Sequence, residues 1–213
     1  SDPMADGPTI QLSSNRAISK GIRLEDIFYL ASEAKKIKND IPIVLMGYYN
    51  LILYFGVKNF VQKCKENGVD GLIIVDLQPE EDEDLINELR NNQIDLIRLI
   101  TPTTDEERLK FILKNASGFL YYVSVMGITG HKSANLNELE LSVKNIKNHT
   151  NLPVVPGFGI KNANDVNKIC KIADGAVVGS SIIKIIEENL NNKEKMLSEI
   201  DKFSNDLKNG TRV

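Results

Sequence analysis

The sequence predicts an α/β protein built on parallel strands and closed as a (β/α)8 barrel, and three observations carry that expectation. Short, β-branched apolar runs alternate with longer amphipathic stretches, a strand-then-helix unit recurring at roughly 20 to 35 residues. The runs are nearly continuous in apolar character, as strands covered on both faces should be. Glycines follow the last two runs, at 157–159 and 179–181, whereas the first βα turn lacks GxGxxG. A dinucleotide-type sheet carries its phosphate loop in that first turn, and a barrel carries it after its seventh and eighth strands.

Taken in order, SDPMADGPTIQ (1–11) reads as a tight acidic loop, with two Asp, two Pro and a Gly among its first eight residues. Residues 24–37 carry apolar positions at helical spacing, and IPIVLMGYY (41–49) is the first strand. FGVKNFVQKCKENG (55–68) is a helix stopping on Gly68, GLIIVD (71–76) a strand, and PEEDEDLINELRNN (79–92) a helix with acids near the positive end of its dipole. DLIRLI (95–100), GFLYYVSV (118–125), LPVVPGFG (152–159) and GAVVGSS (175–181) complete six strands. The helical stretches 103–115, 136–148 and 162–172 separate them. If the last two runs are strands seven and eight, the first is strand three. A single domain over 1–213 would then hold strands three to eight, with the first two βα units expected ahead of Ser1.

At 213 residues, 42% hydrophobic and 26% charged, the chain suits one domain with a sizeable core. The formal net charge is -3, with lysines scattered among glutamates, so no basic stripe offers itself to nucleic acid or to anionic lipid. No apolar run approaches the ~20 residues of a membrane span. Cys64 and Cys170 each sit in an amphipathic segment, as buried thiols of a cytoplasmic protein do, and no cluster suggests a metal. An upstream transit segment, and with it a plastid location, stays open.

The chemistry is carried at the strand ends. IIKIIEENL (182–190) reads as a short helix opening at Gly179 and Ser180; its free N–H groups, its dipole and the Ser180 hydroxyl suit a phosphate dianion. Gly157 and Gly159 would let backbone N–H groups approach that phosphate. The loop VMGITGHKSANLNELE (125–140) has the length of a lid, with Thr129 and Gly130 placed to close over a substrate, while His131 and His149 read as solvated. Tyr121 and Tyr122 are adjacent on a strand and face opposite ways. Asp6 stands at a loop position where a carboxylate either caps its own turn or accepts a hydrogen bond from a substrate N–H, and Asp76, at the end of GLIIVD, stands at a comparable one, against which the cap-like PEED that follows suggests a loop or interface role.

SDPMADGPTIQ, MGYYN, GVDGLIIVD, YYVSVMGITG, PVVPGFGI and GAVVGSSIIKIIEEN, in that order, resemble the tryptophan synthase alpha chains over residues 1 to 200. The resemblance implies a (β/α)8 barrel that cleaves indole-3-glycerol phosphate to indole and glyceraldehyde 3-phosphate. The indole passes to a beta chain in an α2β2 tetramer, and the pyridoxal phosphate belongs to that partner, leaving this chain without a cofactor. Asp6 matches the family's carboxylate on the indole N–H, and Tyr121 its tyrosine near the scissile carbons. Thr129 matches the lid residue that packs on that carboxylate. Gly130, Gly157, Gly159, Gly179 and Ser180 match the phosphate site, and Asp2, Pro3 and Asn50 the contacts to the beta chain. The family's second catalytic carboxylate is a Glu on strand two, expected a few residues before Ser1. Three other readings stand beside this one: another phosphate-binding barrel such as a sugar-phosphate isomerase or epimerase, an indole-releasing lyase working without a partner, and a chain that binds the beta chain or a phosphate ligand without catalysis.

Overall fold

A computed structural model describes residues 6–81, 83–123, 136–157 and 159–212. These residues group into two compact units, the first formed by Asp6, Ser14–Leu99 and Glu106–Gly118, the second by Gly7–Ser13, Ile100–Asp105 and the described residues from Phe119 onward.

Helix α1 (Pro8–Ser19) begins in the second unit and continues into the first. It corrects the reading of 1–11 as loop throughout: Pro8, with its fixed φ and no N–H to lose, occupies the first helical position, and the Gly7 carbonyl accepts from Ile10 and Gln11. The first unit then runs through α2 (Leu24–Ile37), β1 (Val44–Gly47), α3 (Tyr49–Phe55), α4 (Val57–Glu66), β2 (Gly71–Ile74), α5 (Glu83–Asn92), β3 (Asp95–Ile100) and α6 (Glu106–Leu113). β1 pairs in parallel with β2, Val44 opposite Gly71 and Gly47 opposite Ile74, and β2 in parallel with β3. Every residue of β2 is buried, which explains the unbroken apolar run. Phe28 of α2, Phe55 of α3 and Phe60 of α4 meet with ring centroids 5.6 to 6.2 Å apart, and Val61, Cys64, Leu72, Leu85 and Leu89 extend that core.

The strand expected over 41–49 stops at Gly47, and Tyr49 starts α3, a helical turn that the run of aromatic and β-branched residues concealed. The helix expected from Pro79 starts at Glu83.

The second unit contains β4 (Leu120–Val123), α7 (Leu136–Lys147), β5 (Val154–Gly157), α8 (Ala163–Cys170), α9 (Ser180–Glu188) and α10 (Lys193–Gly210). β4 pairs in parallel with β5, Tyr121 opposite Val155 and Val123 opposite Gly157. α7 packs on β5 through a helix face of Leu139, Val143 and Ile146, all buried. α10 lies on α8 and α9, where the buried Asn189 donates to Glu199 at 2.9 Å. The sixth expected strand, 175–181, is reduced to a single parallel bridge between Val177 and Gly157. A run of only three apolar residues between Gly175 and Gly179 leaves little to order before α9 starts.

Candidate functional site

In the first unit the C-terminal ends of β1 and β2 carry the polar groups. Val75 N–H donates to the Gly47 carbonyl at 3.0 Å, and one step further along the same register Tyr49 N–H donates to Asp76 Oδ1 at 2.8 Å. The Asp76 side chain thus takes the place that a strand carbonyl would fill, and it satisfies an N–H at the start of α3, whose N-cap residue, Tyr48, makes no side-chain cap bond. Extended at φ -115°, ψ 145°, Tyr48 sends its hydroxyl to Asp6, donating to Oδ2 at 2.9 Å. Asp6 and Tyr48 are half-buried, whereas Asn50, the next residue but one, is exposed on α3. The expected site residue Asp6 is therefore held by a tyrosine that the sequence reading passed over, although a tyrosine directly after a strand-ending glycine was the available signal.

In the second unit β4 and β5 bring Tyr121 and Gly157 together. Tyr122 is buried and Tyr121 half-buried, as alternation on a strand requires. The Tyr121 ring lies so close to Gly157 that a Cβ built there would stand 2.6 Å from the hydroxyl and 2.8 Å from a ring carbon, which only glycine avoids. Gly159 has φ +62° and open space around it, a left-handed conformation that favours glycine.

α9 starts at Ser180 with Gly179 as its N-cap, both exposed, with nothing within 4 Å of a Cβ at Gly179. No acidic residue occupies the first turn of α9, so the positive end of its dipole is left uncompensated by the helix's own side chains. Ser181 Oγ donates to the Ile160 carbonyl at 2.6 Å, fixing the start of α9 to the segment that follows β5. This arrangement offers backbone N–H groups to an anion, and Ser181, unlike Ser180, was not singled out by sequence.

Asp2, Pro3, Thr129, Gly130 and His131 lie outside the described residues. His149 lies just beyond α7, its Nδ1 2.9 Å from the Asn145 carbonyl, and is half-buried where the sequence suggested a solvated side chain. Burial pushes the Cys64 thiol up to about 12. Cys170 corrects the expectation of two buried thiols, because it closes α8 in a half-exposed position. Among the described residues no group of three or more His, Cys, Asp or Glu is placed to hold a metal, and no helix is long and apolar enough to cross a membrane.

The family model described as tryptophan synthase alpha chain matches residues 1–212. A tryptophan synthase alpha chain from Petrotoga mobilis is 44% identical over 208 residues, which are 98% of this chain and 80% of that one. Among solved structures, tryptophan synthase subunit alpha from Legionella pneumophila superposes with a TM-score of 0.90 at 34% identity, covering 99% of this chain and 78% of its own. A chain from the tryptophan synthase a2b2 complex of Pyrococcus furiosus gives 0.87 at 35% identity, covering 97% and 82%.

Proposed function

This chain belongs to the tryptophan synthase alpha chain family, and from that premise we propose the task of each site residue in the family's reaction. The family reaction is the cleavage of indole-3-glycerol phosphate to indole and glyceraldehyde 3-phosphate, with the beta chain as partner and pyridoxal phosphate on that partner alone. The observation that carries the assignment is the Asp6 carboxylate oriented by Tyr48 beyond the end of β1.

In this reading Asp6 accepts a hydrogen bond from the indole N–H. Protonation of C3 places positive charge on that nitrogen, and a carboxylate already fixed in position stabilises the charge without reorganising. The C3 to glyceryl carbon bond then breaks as the glyceryl hydroxyl loses its proton, giving the aldehyde and neutral indole. Proton transfer at those atoms is the task of the family's strand glutamate. Tyr121 borders the glyceryl carbons. The phosphate sits on the N–H groups of Ser180 and Ser181, with Gly130, Gly157, Gly159 and Gly179 as the other members of its site, and Thr129 is the lid residue that packs on Asp6. Asp2, Pro3 and Asn50 meet the beta chain.

We read the described strands and the bridge at Val177 as parallel strands of a (β/α)8 barrel of the family's kind, in keeping with the glycines that follow the last two. A cytoplasmic location accords with the bacterial relatives.

Replacing Asp6→Asn tests the assignment. The reading expects kcat for indole release to fall on the order of a hundredfold or more, while affinity for glycerol 3-phosphate, measured by titration calorimetry, stays within about twofold because the phosphate contacts are made elsewhere. Near-normal turnover in Asp6→Asn would contradict it.

A further inference from the structure

We propose that Asp76 is a positioning residue for the cleavage reaction, acting on Asp6 through Tyr48. The inference rests on the assignment of Asp6 above. Asp76 does not bond to Asp6; it accepts from the main-chain N–H of Tyr49 at 2.8 Å, and Tyr48 is the residue immediately before. Together with the bond from Val75 N–H to the Gly47 carbonyl, this pins the backbone on both sides of Tyr48. A tyrosine held at both neighbouring peptides has a fixed Cα–Cβ direction, and its hydroxyl can then meet Asp6 Oδ2 at 2.9 Å without searching.

Asp76 is itself anchored. The next residue, Leu77, is buried, and its carbonyl accepts from the buried Arg98 guanidinium of β3 at 3.4 Å. The exposed carboxylate therefore projects from a turn fastened to the core. Its reach across to Tyr49 continues the β1 and β2 register, in which Gly47 faces Ile74, by two further residues on each side. A turn-capping carboxylate would bond to its own segment; this one leaves its own turn to hold the neighbouring strand end.

The experiment compares Tyr48→Phe, Asp76→Ala, Asp76→Asn and the double variant Tyr48→Phe/Asp76→Ala in the protein complexed with its beta chain, reading kcat and KM for indole-3-glycerol phosphate together with the melting temperature. Tyr48→Phe and Asp76→Ala should each lower kcat on the order of tenfold and leave KM within about twofold. The double variant should be no slower than Tyr48→Phe alone, since both changes break one chain of contacts. Asp76→Asn, whose amide oxygen still accepts from Tyr49 N–H, should recover most of the rate. If Asp76→Ala does not fold, Asp76→Ser, too short to reach Tyr49, replaces it in the comparison. Unchanged kcat in the Asp76 variant, losses that multiply in the double variant, or an Asn variant as slow as the Ala variant would overturn the inference. Asp6→Asn run in parallel separates the two claims: if it retains turnover the Asp6 assignment itself fails, and if it does not, a failure of the Asp76 series concerns Asp76 alone.

Discussion

Gly157 and Tyr121 show how little room a single position leaves. A methyl group on Gly157 would stand 2.6 Å from the Tyr121 hydroxyl, so Gly157→Ala must push the ring away from where β4 places it. If Tyr121 borders the scissile carbons, that variant should lower kcat/KM at least tenfold, and Gly159→Ala, with open space around it, should act through its positive φ on the phosphate and raise KM instead. Steady-state kinetics of the two variants distinguish these outcomes. At the same scale, Cys64 is fully buried with its thiol raised to about 12 and Cys170 is half-exposed, so a thiol reagent should titrate one cysteine in the native protein and both after denaturation. The glycines were proposed as phosphate contacts from their pairing after the last two strands, and Asp6 and Tyr121 as site residues from the resemblance of the motifs that hold them. Tyr48 and Ser181 were not, because an aromatic after a strand and a second serine at a helix start are ordinary until their partners are seen.

At the scale of elements, one device occurs twice, once in each unit. Asp70, before β2, accepts from Ile43 N–H at 2.7 Å and pairs with Lys35 of α2 at 2.8 Å. Asp174, ahead of the bridge at Val177, accepts from Val154 N–H at 2.8 Å and pairs with Lys147 of α7 at 2.6 Å. Each Asp also donates its own N–H to the carbonyl of the residue that its side chain holds. The sequence shows it as Val-Asp-Gly and Ala-Asp-Gly before an apolar run, so a βα unit is locked in register at the strand entry, opposite the end where the candidate site residues lie. Partial burial alone would raise both carboxyls, but the lysine ammonium and the strand N–H favour the charged form and leave both lowered. A lowered folded value gives stability that is present above the unfolded aspartate value near 4 and lost as pH falls through the folded one. Asp70→Asn/Asp174→Asn, which keeps the acceptors and removes the charges, should be less stable than the parent at pH 7 by up to about 1 kcal/mol, both ion pairs being partly exposed. Urea denaturation should show the gap closing below about pH 4, and a gap independent of pH would contradict the ion-pair account. Helix α1 and helix α3 were illegible for the converse reason: Gly7 and Pro8 at the head of the one, and the aromatic residues of the other, signal loop or strand locally, although Pro8 suits a first helical position.

For the molecule as a whole, the alternation of apolar runs and amphipathic stretches was enough to read an α/β fold on parallel strands, because parallel strands must be covered on both faces and so lose the in-and-out pattern. The sixth run lacked the length to show that it orders only as a bridge. Function became legible from the series of strand-end motifs, and the match over residues 1–212 places the chain in the family. In the proposed reading, what separates a carbon–carbon lyase from an isomerase or epimerase with similar phosphate loops is the role of the Asp6 carboxylate in breaking a carbon–carbon bond. The most direct test supplies indole-3-glycerol phosphate to the protein complexed with its beta chain, without serine, and quantifies indole and glyceraldehyde 3-phosphate together. The account predicts equimolar release of both, lost in Asp6→Asn; consumption of substrate without indole, or equal release by the Asp6→Asn protein, would contradict it.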